Sequence, residues 1–146
     1  MAAGTFVFYQ HAVHDMMRGL LDLQSQTFVV DLVSQAYTPN AKSHSVFSAD
    51  VSAHLVTSSG YAGRTLGNTT VAITSGSYVT WDADDLTISA AATMKAKYAI
   101  VSRAGGDRRL VGYFDLETTQ VTGVEVTQLV TQWNAVGITQ VNNPSA

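Results

Sequence analysis

Ionised side chains are scarce along this chain, and their scarcity limits the folds it can adopt. Charged residues make up 13% of the sequence, against about 25% in an average soluble domain. Thr and Ser take much of their place, with 17 and 13 residues, and Val is the commonest aliphatic residue with 18. Because β-branched side chains fit a pleated, half-buried surface, this composition favours strands. The low charge also predicts that neighbouring proteins cover part of the exterior.

Length, charge balance and cysteine content exclude several classes of protein. A chain of 146 residues without a linker or repeat predicts a single domain over residues 1–146. The net charge of −3 provides no field that attracts nucleic acid. The sequence has no cysteine, so disulfides and thiolate metal sites are impossible. The apolar runs are far shorter than the ~20 residues that span a bilayer, and the N-terminus lacks a basic region, so we expect neither a membrane segment nor a signal peptide.

Two helices are predicted in the first part of the chain. Apolar side chains recur at three- and four-residue spacing over residues 11 to 23, which predicts an amphipathic helix of about three turns packed on a sheet. Its expected inner side consists of Val13, Met16, Met17, Leu20, Leu21 and Leu23. A short helix is expected to begin at Ser48 as N-cap, with Asp50 in its first turn. The expected inner side of this short helix consists of Val51, Leu55 and Val56.

The remaining segments predict strands. Phe6 and Phe8 are expected on one face of a short first strand, and Thr27 to Ser34 is expected to be well buried, with Asp31 as its polar exception. Further strands are expected at Thr69 to Thr74, Ser77 to Asp82, Leu86 to Ser89, Lys95 to Arg103, Arg109 to Leu116 and Val124 to about Val141. We therefore predict a mainly β fold, a β-sandwich or partly closed barrel of about seven to eight strands with one packed α-helix and one short helix.

The C-terminal segment has an unusual charge distribution. From Leu110 to Ala146 there is no Lys or Arg, although exposed edge strands are normally protected by charge, above all by Lys. Residues 124 and 126 alternate in one register and residues 129, 131 and 133 in the other, which predicts a bulge or bend near Gln128. Two interpretations remain open: these strands lie in the centre of a sheet, or a neighbouring subunit covers part of their surface.

Two groups of residues have the types that bind divalent metals. His11, His14 and Asp15 fall at i, i+3 and i+4, so a helix brings them toward one side, yet no fourth ligand is identifiable. They are expected to be ordinary helix residues. Asp82, Asp84 and Asp85 resemble the start of a calcium loop, but the glycine and glutamate that complete an EF-hand are missing. A turn whose Asp side chains bond their own backbone is expected, and neither group is assigned a metal.

Catalytic motifs are not found in the sequence. There is no G-x-S-x-G elbow and no phosphate-binding glycine loop. The two glutamates, Glu117 and Glu125, are the obvious carboxylate pair for glycoside cleavage, and nothing in the pattern places them together. His44 and His54 are isolated in the sequence and are expected to be hydrogen-bonded surface residues. We therefore predict no catalytic residue, no cofactor and no enzymatic activity.

A basic stretch and several aromatic residues are candidates for binding. Arg103 and Arg108 bracket a predicted AGGD hairpin turn, which is expected to be solvated, with contact to an acidic protein neighbour as the alternative. The basic stretch consists of Lys95, Lys97, Arg103, Arg108 and Arg109. The aromatic residues are expected in the core or on sheet faces rather than as stacking platforms. They are Tyr61, Trp81, Tyr98, Tyr113 and Trp133.

Five segments occur in a characteristic order along the chain. They are FYQHAVHDMMRGLLDLQSQTFVVDLV, FSADVSAHLVTSSGYAGRTLGN, VTWDADDLTIS, KAKYAIV and LVGYFDL. As a set they resemble a family of small virion proteins of tailed bacteriophages, over about residues 5 to 120. The chain departs from the family pattern at Ala62 and Arg64, where the family commonly has glycine or another small residue.

The resemblance implies a β-sandwich-like capsid decoration or cement protein, or a related head or tail accessory protein, with no catalytic residues to carry over. We accordingly expect a non-enzymatic structural protein of the virion, placed on the phage head after synthesis in the host cytoplasm. Its expected partners are the major capsid protein or other virion proteins and further copies of itself. The alternatives are a neck, tail or fibre component, a carbohydrate-binding module that uses Trp81, Trp133 or the tyrosines, and a metal-dependent hydrolase around His11, His14 and Asp15.

Overall fold

The computed structural model of the protein describes residues 5–58, 60–74, 78–116, 123–131 and 138–142. Two helices occur within these ranges, α1 (Gln10–Met17) and α2 (Phe47–Asp50), and a 3-10 turn follows at Ser52–His54. The strands are β1 (Val7–Phe8), β2 (Phe28–Val33), β3 (Arg64–Thr65), β4 (Thr70–Thr74), β5 (Tyr78–Asp82), β6 (Leu86–Ala96), β7 (Tyr98–Arg103), β8 (Leu110–Asp115), β9 (Val124–Thr131) and β10 (Thr139–Asn142). The predicted mainly β fold with one packed helix and one short helix is confirmed.

The strands form three antiparallel sheets. The largest has five strands in the order β1-β8-β7-β2-β3, the second has the order β10-β5-β4, and the third pairs β6 with β9. Over the described ranges these sheets do not close into a barrel. Ten strands are described, against about seven to eight predicted, because the two-residue strand β3 was not expected and the predicted last strand is divided.

The central strands of the five-stranded sheet, β2, β7 and β8, are buried on both faces. One face contributes Phe28, Val30 and Leu32 to a core shared with the two smaller sheets through Trp81 and Ile88. The other face contributes Val33, Ile100 and Leu110 to a second core beneath Tyr9, Tyr37, Phe47 and Val51. Because successive residues of a strand point to opposite faces, a strand covered on both sides must be apolar throughout. This explains the nearly continuous apolar run of β2.

Helix α1 differs from its prediction in length and in orientation. It has eight residues instead of about three turns, and the chain leaves the helix through Gly19, whose φ is +73°. The buried side chains are those of Ala12 and Asp15, whereas Met17 is 84% exposed. The prediction is therefore wrong for Val13, Met17 and Leu20, which are exposed, whereas Leu21 lies in the core and Met16 and Leu23 pack against it as predicted. Small Ala12 faces the core, and Asp15 turns inward because it pairs with Arg109 next to β8.

The short helix and the last strands also require corrections. Helix α2 begins at Phe47 rather than after Ser48, and the carboxylate of Asp50 accepts the backbone N–H groups of Ser45 and Val46 at 2.8 and 3.0 Å. The segment predicted as one last strand forms β9 and β10, which belong to different sheets. The β6–β9 ladder shifts register between Ser89 and Met94, opposite Gln128, where the sequence predicts a bulge or bend.

Two further strand boundaries differ from the prediction. Strand β6 continues to Ala96 instead of ending at Ser89, and the strand predicted from Lys95 to Arg103 is interrupted at Lys97. The side chain of Lys97 is buried, and its Nζ donates to Asp115 Oδ1 at 2.7 Å. Its backbone N–H donates to Val33 O at 2.8 Å. The interruption is thus the point where the chain passes from the β6–β9 sheet into the five-stranded sheet.

Candidate protein-binding surface

Two of the three helix residues that have metal-binding side chains, His14 and Asp15, make contacts within the chain. Asp15 Oδ1 lies 3.2 Å from His14 Nδ1, and Asp15 Oδ2 accepts Arg109 Nη2 at 3.2 Å. Burial acts to raise the pKa of Asp15, but the hydrogen bonds from His14 and Arg109 outweigh it and lower the pKa below its ordinary value. His11 is exposed and is not among these contacts. Among the described residues, no three His, Asp or Glu side chains are grouped as metal ligands.

The aspartate-rich segment after β5 is held by hydrogen bonds both within itself and to the residues before β4. Asp82 Oδ1 accepts the backbone N–H of Ala83 at 2.9 Å, which agrees with the predicted turn. Asp84 instead accepts Asn68 Nδ2 at 2.6 Å, and its backbone N–H donates to Gly67 O at 2.9 Å. Asp85 follows as an exposed residue immediately before β6. Asp84 therefore links the connection after β5 to the residues just before β4.

His44 and His54 contact the same buried tyrosine. Tyr37 OH lies 2.8 Å from His44 Nδ1 and 2.7 Å from the OH of Tyr9. The ring of His54 packs 5.7 Å from the ring of Tyr37, measured between centroids. Burial raises the pKa of Tyr37 to about 12. This chain of hydroxyl groups closes the second core. His44 is hydrogen-bonded as predicted, but both histidines are half-buried against Tyr37 rather than on the open surface.

The tip of the predicted turn, residues 105 to 107, is exposed and Lys95 is 71% exposed, but the other side chains of the basic stretch are bound within the chain. Arg108, expected in a solvated turn, reaches back to Asp31, and its guanidinium lies 3.7 Å from the centroid of the Phe47 ring. Arg103 Nη1 donates to Leu20 O at 3.3 Å. The remaining ion pairs are Lys95 with Glu125 at 3.2 Å, Lys97 with Asp115 at 2.7 Å and Arg109 with Asp15 at 3.2 Å. The hairpin turn itself is present, with positive φ at Gly105, Gly106 and Arg108.

A polar network around Asp31 was not predicted. Arg108 Nη2 donates both to Asp31 Oδ2 and to Ser102 Oγ. Tyr61 OH donates to Asp31 Oδ1 at 3.4 Å and accepts the backbone N–H of Leu32 at 2.6 Å. Burial raises the pKa of Tyr61. The one signal in the sequence was Asp31 itself, a carboxylate within an otherwise apolar strand.

Gly63, in the glycine turn before β3, packs against this network. A Cβ on Gly63 would lie 2.3 Å from Asp31 Oδ1, so the position has no room for a side chain. Ala62 and Arg64, where the chain departs from the family pattern, are both exposed. The departures therefore leave the Asp31 network intact.

The aromatic side chains are occupied in packing. Trp81 is 2% exposed, and its Nε1 donates to Leu23 O at 3.0 Å, so its ring is not available as a sugar platform. Tyr98 and Tyr113 are half-buried against the second core. Trp133 and Glu117 lie outside the described residues. No carbohydrate platform is formed by the described tryptophan.

Exposed apolar side chains form a stripe along α1 and its C-terminal turn. Val13, Met17 and Leu20 are exposed, Met17 to 84%. Val13 and Met17 are one helical turn apart on the same face. These are residues that the helical spacing marked as a buried side, and the fold turns them toward solvent. We call Val13, Met17 and Leu20 the helix stripe.

A second apolar area lies on the β4–β5 hairpin. Val71, Ile73 and Val79 are exposed, Ile73 to 79%. Ile73 is the direct partner of Val79 and Val71 that of Trp81, so all four side chains share one face of the sheet. Trp81 reaches the core, whereas Ile73 and Val79 extend beyond it. We call Val71, Ile73 and Val79 the hairpin patch.

A groove of about 600 Å³ separates the helix stripe from the hairpin patch. Its apolar walls are Met16, Leu21, Leu23 and Val71. The stripe, the groove and the patch together make an apolar surface on a chain that has few charges elsewhere. Exposed apolar surface of this kind marks sites of protein interaction.

Within the described ranges, no helix is both long and apolar enough to cross a bilayer. No known protein family, curated protein or solved structure matches this chain. The apolar surface is therefore the feature from which a function is inferred.

Proposed function

We propose that this chain is a non-enzymatic structural protein of a tailed-phage particle, a capsid decoration protein that binds the major capsid protein through the helix stripe. The observation that carries the proposal is the outward orientation of Met17 in a helix only eight residues long. A large apolar side chain left in water at that position has no role within the described fold. An exposed Met17 side chain is explained if a partner protein covers it.

The helix stripe has the composition of a small protein interface, with an apolar centre and polar residues around it. Burying Met17 and Leu20 against a partner would contribute about 1.5–3 kcal/mol for each side chain. Arg18 and His14 border the stripe and are exposed, and they would form the polar rim that surrounds an apolar interface centre. Docking of an amphipathic helix into an apolar groove is a common recognition mode, in which anchors about one turn apart enter the partner.

The virion assignment rests on the sequence resemblance and on the scarcity of charge. The segments that resemble the phage family include α1, the Gly63 turn and β8, and these carry the ion pair of Asp15 and the contact of Gly63 with Asp31. A protein that bridges neighbouring capsid subunits stabilises the shell by mass action, because it binds the assembled state and not the separate subunits. Such a function needs a complementary surface and no reactive group.

Co-sedimentation with purified phage parts tests the proposal. We expect the chain to sediment with empty capsids of its own phage and not with isolated tails. Met17→Lys should weaken capsid binding about tenfold or more, because it places a charge where an apolar anchor is buried. Thr87→Lys is the matched control, since Thr87 is an exposed residue of β6 with the same change of charge.

The other results of this experiment have definite meanings. Retention on tails but not on capsids would replace the decoration function with a neck, tail or fibre function. Failure to bind either part would contradict a virion role. Equal binding by the Met17 and Thr87 variants would remove the helix stripe from the interface while leaving the virion role in place.

A further inference from the structure

Strand β4 is a sheet edge that Gln24 covers at Val71 but leaves open at Ile73 among the described residues. Within the described ranges its only sheet neighbour is β5, with which it pairs without a bulge from Thr70 to Thr74. The strand TVAIT has no charged residue and no proline. Lysine, proline and bulges are the usual devices that prevent an edge strand from pairing with another chain. None of them is present in β4.

The outer edge of β4 carries open hydrogen-bonding groups. The backbone N–H of Val71 donates to Gln24 Oε1 at 3.2 Å, so it points away from β5. Because backbone groups alternate along a strand, the N–H and C=O of Ile73 point to the same outer edge. Neither group has a hydrogen bond to another described residue. Ile73 thus combines an exposed apolar side chain with an open donor and acceptor.

We propose that two copies of this chain pair through their β4 strands, antiparallel and around a two-fold axis at Ile73. In antiparallel pairing a residue on the axis meets its own copy, and the N–H of each Ile73 donates to the C=O of the other. One residue therefore satisfies both open groups. The two three-stranded sheets become a single sheet in the order β10-β5-β4-β4-β5-β10.

The charge distribution favours a second copy as the occupant of this edge. A side chain on the two-fold axis faces its own copy, so a charged residue there would be repelled by that copy. The whole chain has a net charge of −3, and self-association therefore needs an uncharged contact. Strand β4 provides one, and the hairpin patches of the two copies would form one apolar face that continues across the axis.

The pairing should be weak in a purified solution. With the axis at Ile73, only residues 72 to 74 of the two described strands pair directly, and so short a contact buries less than the roughly 800 Å² per partner of a standard stable interface. On a particle, where neighbouring copies are held at high effective concentration, the same contact would form readily. The proposal concerns copies of this chain alone and does not depend on which virion protein binds the helix stripe.

Sedimentation velocity over a concentration series, without any phage particle, tests the pairing. We expect the wild type to shift from monomer to dimer as concentration rises, and Ile73→Lys to weaken dimerisation about tenfold or more. Ile73 is 79% exposed, so this substitution leaves the monomer core unchanged. Thr87→Lys, with the same charge change on β6, should dimerise like the wild type.

Amide hydrogen exchange identifies the pairing strand. The Ile73 N–H should exchange about tenfold more slowly at a concentration where nine tenths of the chains are paired, because only the unpaired fraction exchanges. A wild type that stays monomeric at millimolar concentration would overturn the proposal. So would a dimer that Ile73→Lys does not weaken or that leaves the Ile73 amide unprotected.

Discussion

The guanidinium of Arg108 binds the buried carboxylate of Asp31, joining the turn before β8 to the middle of β2. Arg108 adopts a positive φ of 50° there, a backbone conformation uncommon for residues other than glycine. Its planar group lies on the Phe47 ring while it donates to Asp31 and Ser102. One side chain therefore ties the five-stranded sheet, the β7–β8 turn and α2 together.

Removing Arg108 should strongly destabilise the fold. Breaking a buried ion pair leaves an uncompensated charge, at a cost of about 3–5 kcal/mol, so Arg108→Ala should lower the free energy of unfolding by roughly that amount in urea titrations. Lys95→Ala is the control, because Lys95 and Glu125 are both exposed and such pairs contribute about 0–1 kcal/mol. Equal effects of the two substitutions would contradict the role assigned to Arg108.

Gly63 should tolerate no side chain, because its would-be Cβ lies 2.3 Å from Asp31 Oδ1. Gly63→Ala must displace the carboxylate from Arg108 or move β3, and overpacking of this kind costs about 1–3 kcal/mol. Ala62→Gly, at the exposed neighbouring position, serves as the comparison. A Gly63→Ala protein with the unfolding midpoint of the wild type would show that the turn can move away freely.

Strand β2 shows what the sequence alone predicts well. Its apolar run and its polar exception were recognised because residues that fill two cores must be apolar on both faces. The β7–β8 turn was also recognised, since glycine supplies the positive φ it needs at Gly105 and Gly106. These features depend on residues that are close together in the sequence.

Helix α1 shows where local pattern fails. Its apolar spacing marks Met17 as buried, and helical periodicity cannot distinguish an apolar face that meets the core from one that meets solvent or a partner. The orientation of the helix depends on Arg109, a residue distant in the sequence that forms an ion pair with Asp15. The candidate surface was therefore missed, although the residues that form it were named.

The buried ion pairs share the same limitation. Each joins segments far apart along the chain, such as Asp31 with Arg108 and Asp15 with Arg109. Without the strand order of the fold, the sequence shows only that five cationic residues lie in one stretch. That stretch then suggests a solvated basic turn. The strand order that brings each carboxylate to its cation is known only once the sheet is assembled.

Acid should weaken the fold through Asp50. Burial acts to raise its pKa, but the N–H groups of Val46 and Ser45 outweigh this effect and lower the pKa below its ordinary value. A carboxyl group whose pKa is lower in the folded state stabilises the fold above its unfolded pKa, about 3.9, and this contribution is lost as pH falls through the folded pKa. Urea midpoints should therefore decrease below about pH 4.

Asp50→Asn separates this effect from other acidic groups. Asparagine keeps one oxygen to accept the two N–H groups but has no charge to titrate. The variant should be less stable than the wild type at pH 7, and the difference should shrink as the pH falls below about 4. A difference that stays constant over this pH range would assign the acid sensitivity to other carboxylates, with Asp15 the first to examine.

Tyr37 should be required for its hydroxyl group and not only for its ring. Its OH bridges the OH of Tyr9, which is fully buried, and Nδ1 of His44. Tyr37→Phe leaves the Tyr9 hydroxyl without this partner, and an unsatisfied buried polar group costs about 1–3 kcal/mol. Tyr98→Phe is a suitable control, because Tyr98 packs beside Tyr37 and its hydroxyl bonds no described residue. Urea unfolding of both variants should show a clear loss of stability for Tyr37→Phe alone, whereas similar losses would mean that the hydroxyl chain contributes nothing specific to the second core.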